Sequence, residues 1–213
     1  MYDVAIINYN SSNLFSVKSA CNKVGLSNII TNESKIIKSS KSIILPGVGS
    51  FGSAIKKINQ LDLNKIIHDF SSSGKPIFGI CLGMQLLFEE SLEMGTTEGL
   101  CLLKGQVSKL KKNTIEPLDF RIPHIGWSPI NKSMKNNNSL LESVKENAYM
   151  YFVHSYKVDV DDKNIITSTS TYGNNIINSS IEYKNLFATQ FHPEKSGLEG
   201  LKVYQNFKKK IYE

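Results

Sequence analysis

The chain has 213 residues, with 25 Lys+Arg against 19 Asp+Glu for a formal net charge of +6, and 40% of its residues are hydrophobic. A chain of this length buries roughly 70% of the surface its unfolded form exposes, so it needs no disulfide framework or structural metal, and its composition excludes disorder. No apolar run approaches the ~18 residues of a membrane span, and the opening Met1-Tyr-Asp-Val-Ala-Ile-Ile-Asn8 lacks the basic and apolar regions of a secretory leader.

In chain order, Val4–Ile7 is a short apolar run and reads as a buried strand. Asn8 to Asn13 is a polar turn. Leu14, Val17, Cys21 and Val24 then follow helical spacing until Gly25 ends the helix. Ile29-Ile30 and Ser42–Leu45 are further strands, the second closed by Pro46-Gly47. Two apolar helical faces follow, Ala54, Ile55 and Ile58, then Leu63, Ile66, Ile67 and Phe70. Gly74-Lys75-Pro76 breaks the pattern ahead of the strand Ile77–Ile80, and Leu82 to Glu90 reads as a helix. Strand–helix alternation of this kind predicts an α/β fold, a mixed but mostly parallel sheet with helices on both faces. Residues 99–190 are richer in short β-type segments, such as Tyr151-Phe-Val153 and Ile165-Ile-Thr167. Residues 131–139 read as a polar loop, and Leu198, Leu201, Tyr204, Phe207 and Ile211 form the face of a final amphipathic helix. Neither repeat nor linker divides the chain, so residues 1–213 are expected to form one domain.

The positive charge does not point to nucleic acid. The lysines are scattered, their densest cluster, Lys208-Lys209-Lys210, suits the negative end of a helix dipole, and no aromatic–basic stripe accompanies it. The three cysteines, Cys21, Cys81 and Cys101, are too irregularly spaced for a disulfide scaffold, and no zinc-ligand spacing occurs. A reducing cytoplasm is the expected compartment. Cys21 and Cys101 are expected to be buried and inert.

Cys81 differs. Gly79-Ile-Cys-Leu-Gly83 is a Gly-x-nucleophile-x-Gly elbow placed between an apolar strand and a helix. Such a turn lifts the sulfur above the sheet edge and sets it at a helix N-terminus, where partial positive charge favours thiolate. The amide of Leu82 can serve as an oxyanion donor, and Gln85, one helical turn on, can reach a substrate held at the sulfur. The same pattern also suits a buried cysteine in a glycine-rich turn. Near the C-terminus, Gln190-Phe-His-Pro-Glu-Lys-Ser196 places His192 and Glu194 two residues apart in an extended segment, so both side chains share one side. A thiol nucleophile needs an imidazole, and the imidazole needs a carboxylate to fix its tautomer. Gly47-Val-Gly-Ser-Phe-Gly52 matches Gly-x-Gly-x-x-Gly. It does not follow the first strand and no acidic residue closes the next, so a loop presenting backbone amides to the elbow is the better reading than a dinucleotide site.

Taken together, Leu45-Pro-Gly-Val-Gly-Ser-Phe51, Gly79-Ile-Cys-Leu-Gly-Met-Gln85 and Gln190–Ser196 resemble the class I, triad-type glutamine amidotransferases, with a flavodoxin-like sheet. The Pro-Gly-Val-Gly loop, Pro123-His-Ile-Gly-Trp127 and Tyr151-Phe-Val-His-Ser-Tyr156 look most like the glutaminase subunits of histidine biosynthesis. The resemblance implies that Cys81 attacks the side-chain amide of glutamine, that His192 is base then acid, and that Glu194 orients it. Gly47, Val48 and Gly49 would form the oxyanion loop, with Gly49 and Leu82 bearing its amides. Gln85, Glu93, Ser155 and Tyr156 would hold the glutamine head group. It also implies a (β/α)8-barrel cyclase partner, fed with ammonia and making imidazole glycerol phosphate and an aminoimidazole carboxamide ribotide, with Asn13, Trp127 and Lys195 facing it. No cofactor or metal is implied. Coupling to the partner would work through the loop, whose glycines permit a peptide flip. Two departures stand in the first turn, where Asn10 and Ser12 replace the family's glycines. They keep open a paralogous subunit feeding another synthase, and a stand-alone cysteine hydrolase of γ-glutamyl bonds is the other alternative.

Overall fold

Short β-branched runs separated by Gly and Pro make a sheet whose strands are buried on both faces. The computed structural model describes residues 1–10, 13–112, 121–133 and 139–213. In chain order its elements are β1 Val4–Ile7, α1 Leu14–Lys23, β2 Asn28–Thr31, α2 Ser34–Ser39, β3 Ser42–Leu45, α3 Phe51–Gln60, α4 Leu63–Ser72, β4 Ile77–Ile80 and α5 Leu82–Leu86. There follow β5 Phe88–Ser91, β6 Thr97–Glu98, β7 Leu103–Lys109, β8 His124–Pro129, β9 Asn131–Lys132, β10 Tyr149–His154, β11 Tyr156–Val160, β12 Ile166–Tyr172, β13 Asn175–Tyr183, β14 Leu186–Thr189 and α6 Gly197–Tyr212.

The main sheet has eight strands in the order β2-β1-β3-β4-β14-β13-β12-β9. The run from β2 to β14 is parallel, and the strands beyond it are antiparallel. Alternation within the parallel strands sends side chains to opposite faces. Ala5, Ile7, Ile43, Leu45 and Ile77 pack with Ile37 of α2, Phe51 and Ile58 of α3 and Ile67 and Phe70 of α4. Val4, Ile6, Ile44, Phe78 and Ile80 pack with Val17 and Cys21 of α1 and Val203, Tyr204 and Phe207 of α6. Helices therefore cover both faces, as the sequence predicts. A four-stranded sheet, β11-β7-β5-β6, and a two-stranded ribbon, β10-β8, flank this core.

Four expectations need correction. The helix from Leu82 ends at Leu86, and Phe88–Ser91 form β5 instead. Phe88 is fully buried, and pairing with the distant β7 satisfies its backbone better than another helical turn. Leu198 lies 80% exposed, off the buried stripe of α6, which carries Val203, Tyr204, Asn206 and Phe207. Cys101 is exposed, at φ 50° in a turn, and is not a core thiol; Cys21 is buried. The stretch 131–139 opens as strand β9 on the edge of the main sheet, and residues 134–138 lie outside the described residues.

The lysine cluster of α6 is engaged within the molecule. Lys208 Nζ donates to the Val24 carbonyl at 2.9 Å, at the end of α1, where a cation suits the helix dipole. Lys209 pairs with Glu142 and Lys210 with Glu213. None of the described helices is long and apolar enough to cross a membrane.

Candidate active site

In parallel sheets, sites form at the carboxyl ends of the strands, where loops leave the hydrogen-bonded ladder. Here β3, β4 and β14 are consecutive neighbours. The loop Pro46–Ser50 leaves β3, Cys81 leaves β4, and Gln190–Glu194 leaves β14. Segments far apart in sequence thus meet at one edge. The Cys81 amide donates to the Thr189 carbonyl at 2.7 Å, tying the elbow to the end of β14.

Close approach of strand and helix explains the two glycines of the elbow. A Cβ on Gly83 would stand 1.7 Å from the Leu45 carbonyl oxygen, and one on Gly79 would stand 2.8 Å from the Gly83 carbonyl oxygen. Cys81 itself sits at φ 54°, ψ −107°, outside the left-handed helical well. It is 5% exposed, and its sulfur lies 3.7 Å from the Val153 carbonyl oxygen and 3.7 Å from Gln190 Nε2. The helix behind it, α5, spans only five residues.

The glycines of the loop after β3 have different reasons. Gly49 uses φ +114°, which L-residues rarely adopt. Gly47 has no positive φ; a Cβ there would fall 2.1 Å from the Tyr9 hydroxyl. That hydroxyl donates to the Pro46 carbonyl, so the turn after β1 holds the loop. The N-terminus of α3 is also occupied: Glu93 Oε2 accepts the Phe51 amide at 2.6 Å. A carboxylate where a pyrophosphate would have to bind argues against the dinucleotide reading.

His192 Nδ1 lies 2.7 Å from Glu194 Oε1, with both side chains almost fully buried. A carboxylate only accepts, so Nδ1 carries the proton and Nε2 is left toward the sulfur. Nε2 has no hydrogen-bond partner among the described residues. Burial opposes a charge on His192, but the negative sulfur of Cys81 and the Glu194 carboxylate outweigh it and push its pKa up to about 10. His192 is thus placed to hold a proton beside the sulfur.

One cleft of about 220 Å³ opens onto Cys81 and is lined by Gly49, Leu82, Gln85, Glu93, Ser155 and Tyr156, among others. All the expected head-group residues therefore line one space. It is below the ~300–1,000 Å³ of drug-sized pockets and suits an amino acid. Gln85 is nearly buried, and its amide donates to the Tyr156 carbonyl at 2.9 Å and to Gln190 Oε1 at 3.1 Å. Glu93 is half-buried in a turn after β5, with one carboxylate oxygen spent on the cap of α3. No group of three or more His, Cys, Asp or Glu that could hold a metal ion occurs among the described residues.

Two of the three residues expected to face a partner lie on or beside the β8–β10 ribbon. Trp127 stands opposite Tyr151 in the β8–β10 register, 53% exposed, with the rings edge-on at 6.0 Å, and Lys195 Nζ lies 5.8 Å from the Tyr151 ring centre. Ile125 and Tyr149, each 60% exposed, lie on the same face of this ribbon. Asn13, ahead of α1, sits at φ 73° and its Nδ2 donates to Glu194 Oε1, the residue before Lys195. Asn10 adopts φ 64°, so asparagine takes over a glycine's conformation there, while Ser12 lies outside the described residues.

Sequence reasoning missed the buried supports. Tyr9 and Gln190 both stood within stretches quoted for other residues, but a hydrogen bond between positions so far apart leaves no local pattern. His154, in the cleft wall, is held by His124 at 3.1 Å and by the Tyr156 carbonyl at 2.9 Å. Burial lowers the pKa of both histidines, to about 3 and about 4 respectively, so the pair is neutral. His154 Nδ1 faces a carbonyl and must carry the proton, which orients the pair.

Comparison with known proteins agrees with this geometry. The family model "Glutamine amidotransferase class-I" matches residues 5–211. The imidazole glycerol phosphate synthase subunit HisH of Aquifex aeolicus (strain VF5) is 43% identical over 206 residues, covering 96% of this chain and 95% of the relative. The protein of the same name from Bacillus subtilis (strain 168) is 40% identical, covering 97% and 95%. A solved glutamine amidotransferase structure superposes with a TM-score of 0.76 at 14% identity, covering 99% of this chain and all of the other. PurLQS from Thermotoga maritima gives 0.70 at 21%, covering 98% and 99%.

Proposed function

We propose, for a chain that belongs to the class I glutamine amidotransferases, that Cys81, His192 and Glu194 form the triad that releases ammonia from glutamine. The chain is an enzyme, the glutaminase subunit of an imidazole glycerol phosphate synthase. One observation carries the assignment of residues: the loop after β3, the elbow after β4 and the His–Glu segment after β14 converge on one amino-acid-sized cleft.

The chemistry follows from the protonation states. The Cys81 thiolate attacks the side-chain carbonyl carbon of glutamine, and the carbonyl oxygen becomes an oxyanion. The amides of Gly49 and Leu82 receive it; each such donor is worth ~100–1,000-fold in rate. His192 Nε2–H protonates the leaving nitrogen, the C–N bond breaks, and ammonia departs. A glutamyl thioester remains. His192, now neutral, takes a proton from water, whose oxygen attacks the thioester; glutamate leaves and the thiolate–imidazolium pair is restored. Glu194 keeps its partner in the right tautomer throughout, and Asn13 fixes Glu194. Gln85, Glu93, Ser155 and Tyr156 hold the amino-acid head group.

The ammonia is delivered to a (β/α)8-barrel cyclase subunit. Its docking face is the exposed side of the β8–β10 ribbon, Ile125, Trp127 and Tyr149 with Lys195 beside them. Apolar and aromatic residues of this kind, rimmed by charge, are what interfaces enrich. The whole span 1–213 serves as one domain. A cytoplasmic setting keeps its three free cysteines reduced.

The test is glutamate release from glutamine by the chain alone, then with a histidine-pathway cyclase and its ribonucleotide, with Cys81→Ala as control. Stimulation that vanishes in Cys81→Ala is expected. Turnover indifferent to the cyclase would keep the triad and overturn the partner; turnover that survives Cys81→Ala would overturn the triad.

A further inference from the structure

Among the described residues, the sulfur of Cys81 has two polar neighbours besides the histidine. The Val153 carbonyl can only accept, so it favours the thiol, which can donate to it. Gln190 presents the opposite group. Its orientation is not free: it is fixed by a chain of hydrogen bonds that ends on a backbone carbonyl.

The Tyr156 oxygen is a pure acceptor, so the group of Gln85 facing it at 2.9 Å must be the NH2. The same NH2 faces Gln190 at 3.1 Å, so Gln190 turns its oxygen to Gln85. That leaves the Gln190 NH2 toward Cys81, 3.7 Å from the sulfur. Gln190 is fully buried and Gln85 nearly so, which removes water as a competing partner. His154 Nδ1 donates to the same Tyr156 carbonyl and holds the anchor in place.

We propose that Gln190 belongs to the catalytic machinery: its amide, oriented by Gln85 and the Tyr156 carbonyl, donates an N–H to the Cys81 sulfur and stabilises the attacking anion. Once the thiol proton passes to His192, the Val153 carbonyl becomes repulsive, and the Gln190 N–H is the neutral donor that remains. A donor aimed at an anion is stronger than one aimed at a neutral group. Gln85 is the positioning residue for it, because its NH2 sets which end of Gln190 meets the sulfur. With that NH2 gone, Gln190 can turn its oxygen to the sulfur and reverse the effect. The inference rests on Cys81 being the nucleophile.

The test reads the sulfur itself, not turnover. The intact chain is alkylated with iodoacetamide at pH 7, and the rates at Cys81 and Cys101 are resolved by peptide mass spectrometry. Cys101 is exposed and remote from Gln190, so it is an internal reference for reagent and pH. In the unaltered chain Cys81 should react faster than Cys101. In Gln190→Glu, which keeps the shape and puts a carboxylate on the sulfur, the Cys81:Cys101 ratio should fall at least tenfold. Gln190→Met, an uncharged replacement, should lower it by about threefold or more and guards against a Glu variant that does not fold. Gln85→Met should also lower it, and Gln85→Met with Gln190→Met should lower it no further than Gln190→Met alone, because both act through one chain. A high ratio left within twofold by Gln190→Met, or two losses that multiply, would overturn the role of Gln190 while leaving the nucleophile in place. A ratio of one or less in the unaltered chain would overturn both.

Discussion

The contact between Gly83 and β3 is the sharpest place to strain the reasoning. In Gly83→Ala the new methyl would stand 1.7 Å from the Leu45 carbonyl oxygen, where ordinary contact needs at least 3.4 Å. The atom met is backbone of a fully buried central strand, so it cannot swing aside. The short helix α5 must retreat, and it carries Leu82 and the end of the elbow with it. Overpacking of this kind costs ~1–3 kcal/mol. For a chain of this size each kcal/mol moves the melting temperature by roughly 2–4 °C, so a fall of about 2–12 °C is expected in a thermal melt. A displacement of the nucleophile by ~1 Å is worth about 100-fold in rate, so glutamate release should fall at least that far. Gly52→Ala is the contrast: it lies in α3, and its nearest neighbour is the Thr97 hydroxyl at 3.5 Å. It should be neutral or stabilising by up to ~1 kcal/mol. Gly83→Ala with the melting temperature and turnover of the parent would refute the account of why this elbow needs its second glycine.

Glu194→Gln keeps the shape of the triad and removes the charge that holds His192. Steady-state glutaminase assays should show a loss of about 10⁴-fold, the size seen when a triad's orienting carboxylate is neutralised. His192 also predicts an alkaline trend. A group whose folded pKa is raised contributes stability that is complete below its ordinary 6.5 and is lost as pH climbs toward about 10. Urea midpoints of the parent should therefore decline over that window, and Glu194→Gln should flatten the decline. Asp3 has the opposite sign. Burial works against its charge, but Ser27, Tyr212 and Lys41 outweigh it and hold the carboxylate far below its ordinary 3.8. Its contribution is present above pH 3.8 and lost below, so Asp3→Asn should be less stable by ~2 kcal/mol at pH 6, and the gap should close in acid. Trp127→Ala should weaken cyclase binding by at least ~1 kcal/mol in titration calorimetry, while glutamine binding to the free chain is unchanged.

The parallel half of the fold was legible because each strand is a continuous apolar run closed by a breaker. Ser42–Leu45 ends at Pro46 in the chain and in the structure alike. The elbow was legible for a related reason: its glycines are demanded by steric contact, so the chemistry leaves a local pattern. What stayed hidden depends on partners distant in sequence. Helical spacing runs on past Leu86, and pairing with Leu103–Lys109 on one side and Thr97–Glu98 on the other turns Phe88–Ser91 into β5. Cys101 has the residue type of a core thiol, but its turn at φ 50° faces outward. Asn13 on Glu194, Tyr9 under Pro46 and Gln190 on Cys81 each join segments that no local pattern connects.

The backbone at Cys81 has a consequence for how this chain can change over generations. A non-glycine residue at φ 54°, ψ −107° carries ~1–3 kcal/mol of conformational strain, so the fold alone would be better served by glycine. Were the thiol no longer needed, drift at this codon would be rewarded with a more stable protein. A cysteine held in that conformation therefore sets the use of its thiol against the stability of the fold. A lineage that abandoned ammonia release would be expected to lose its nucleophile to glycine before it lost its core.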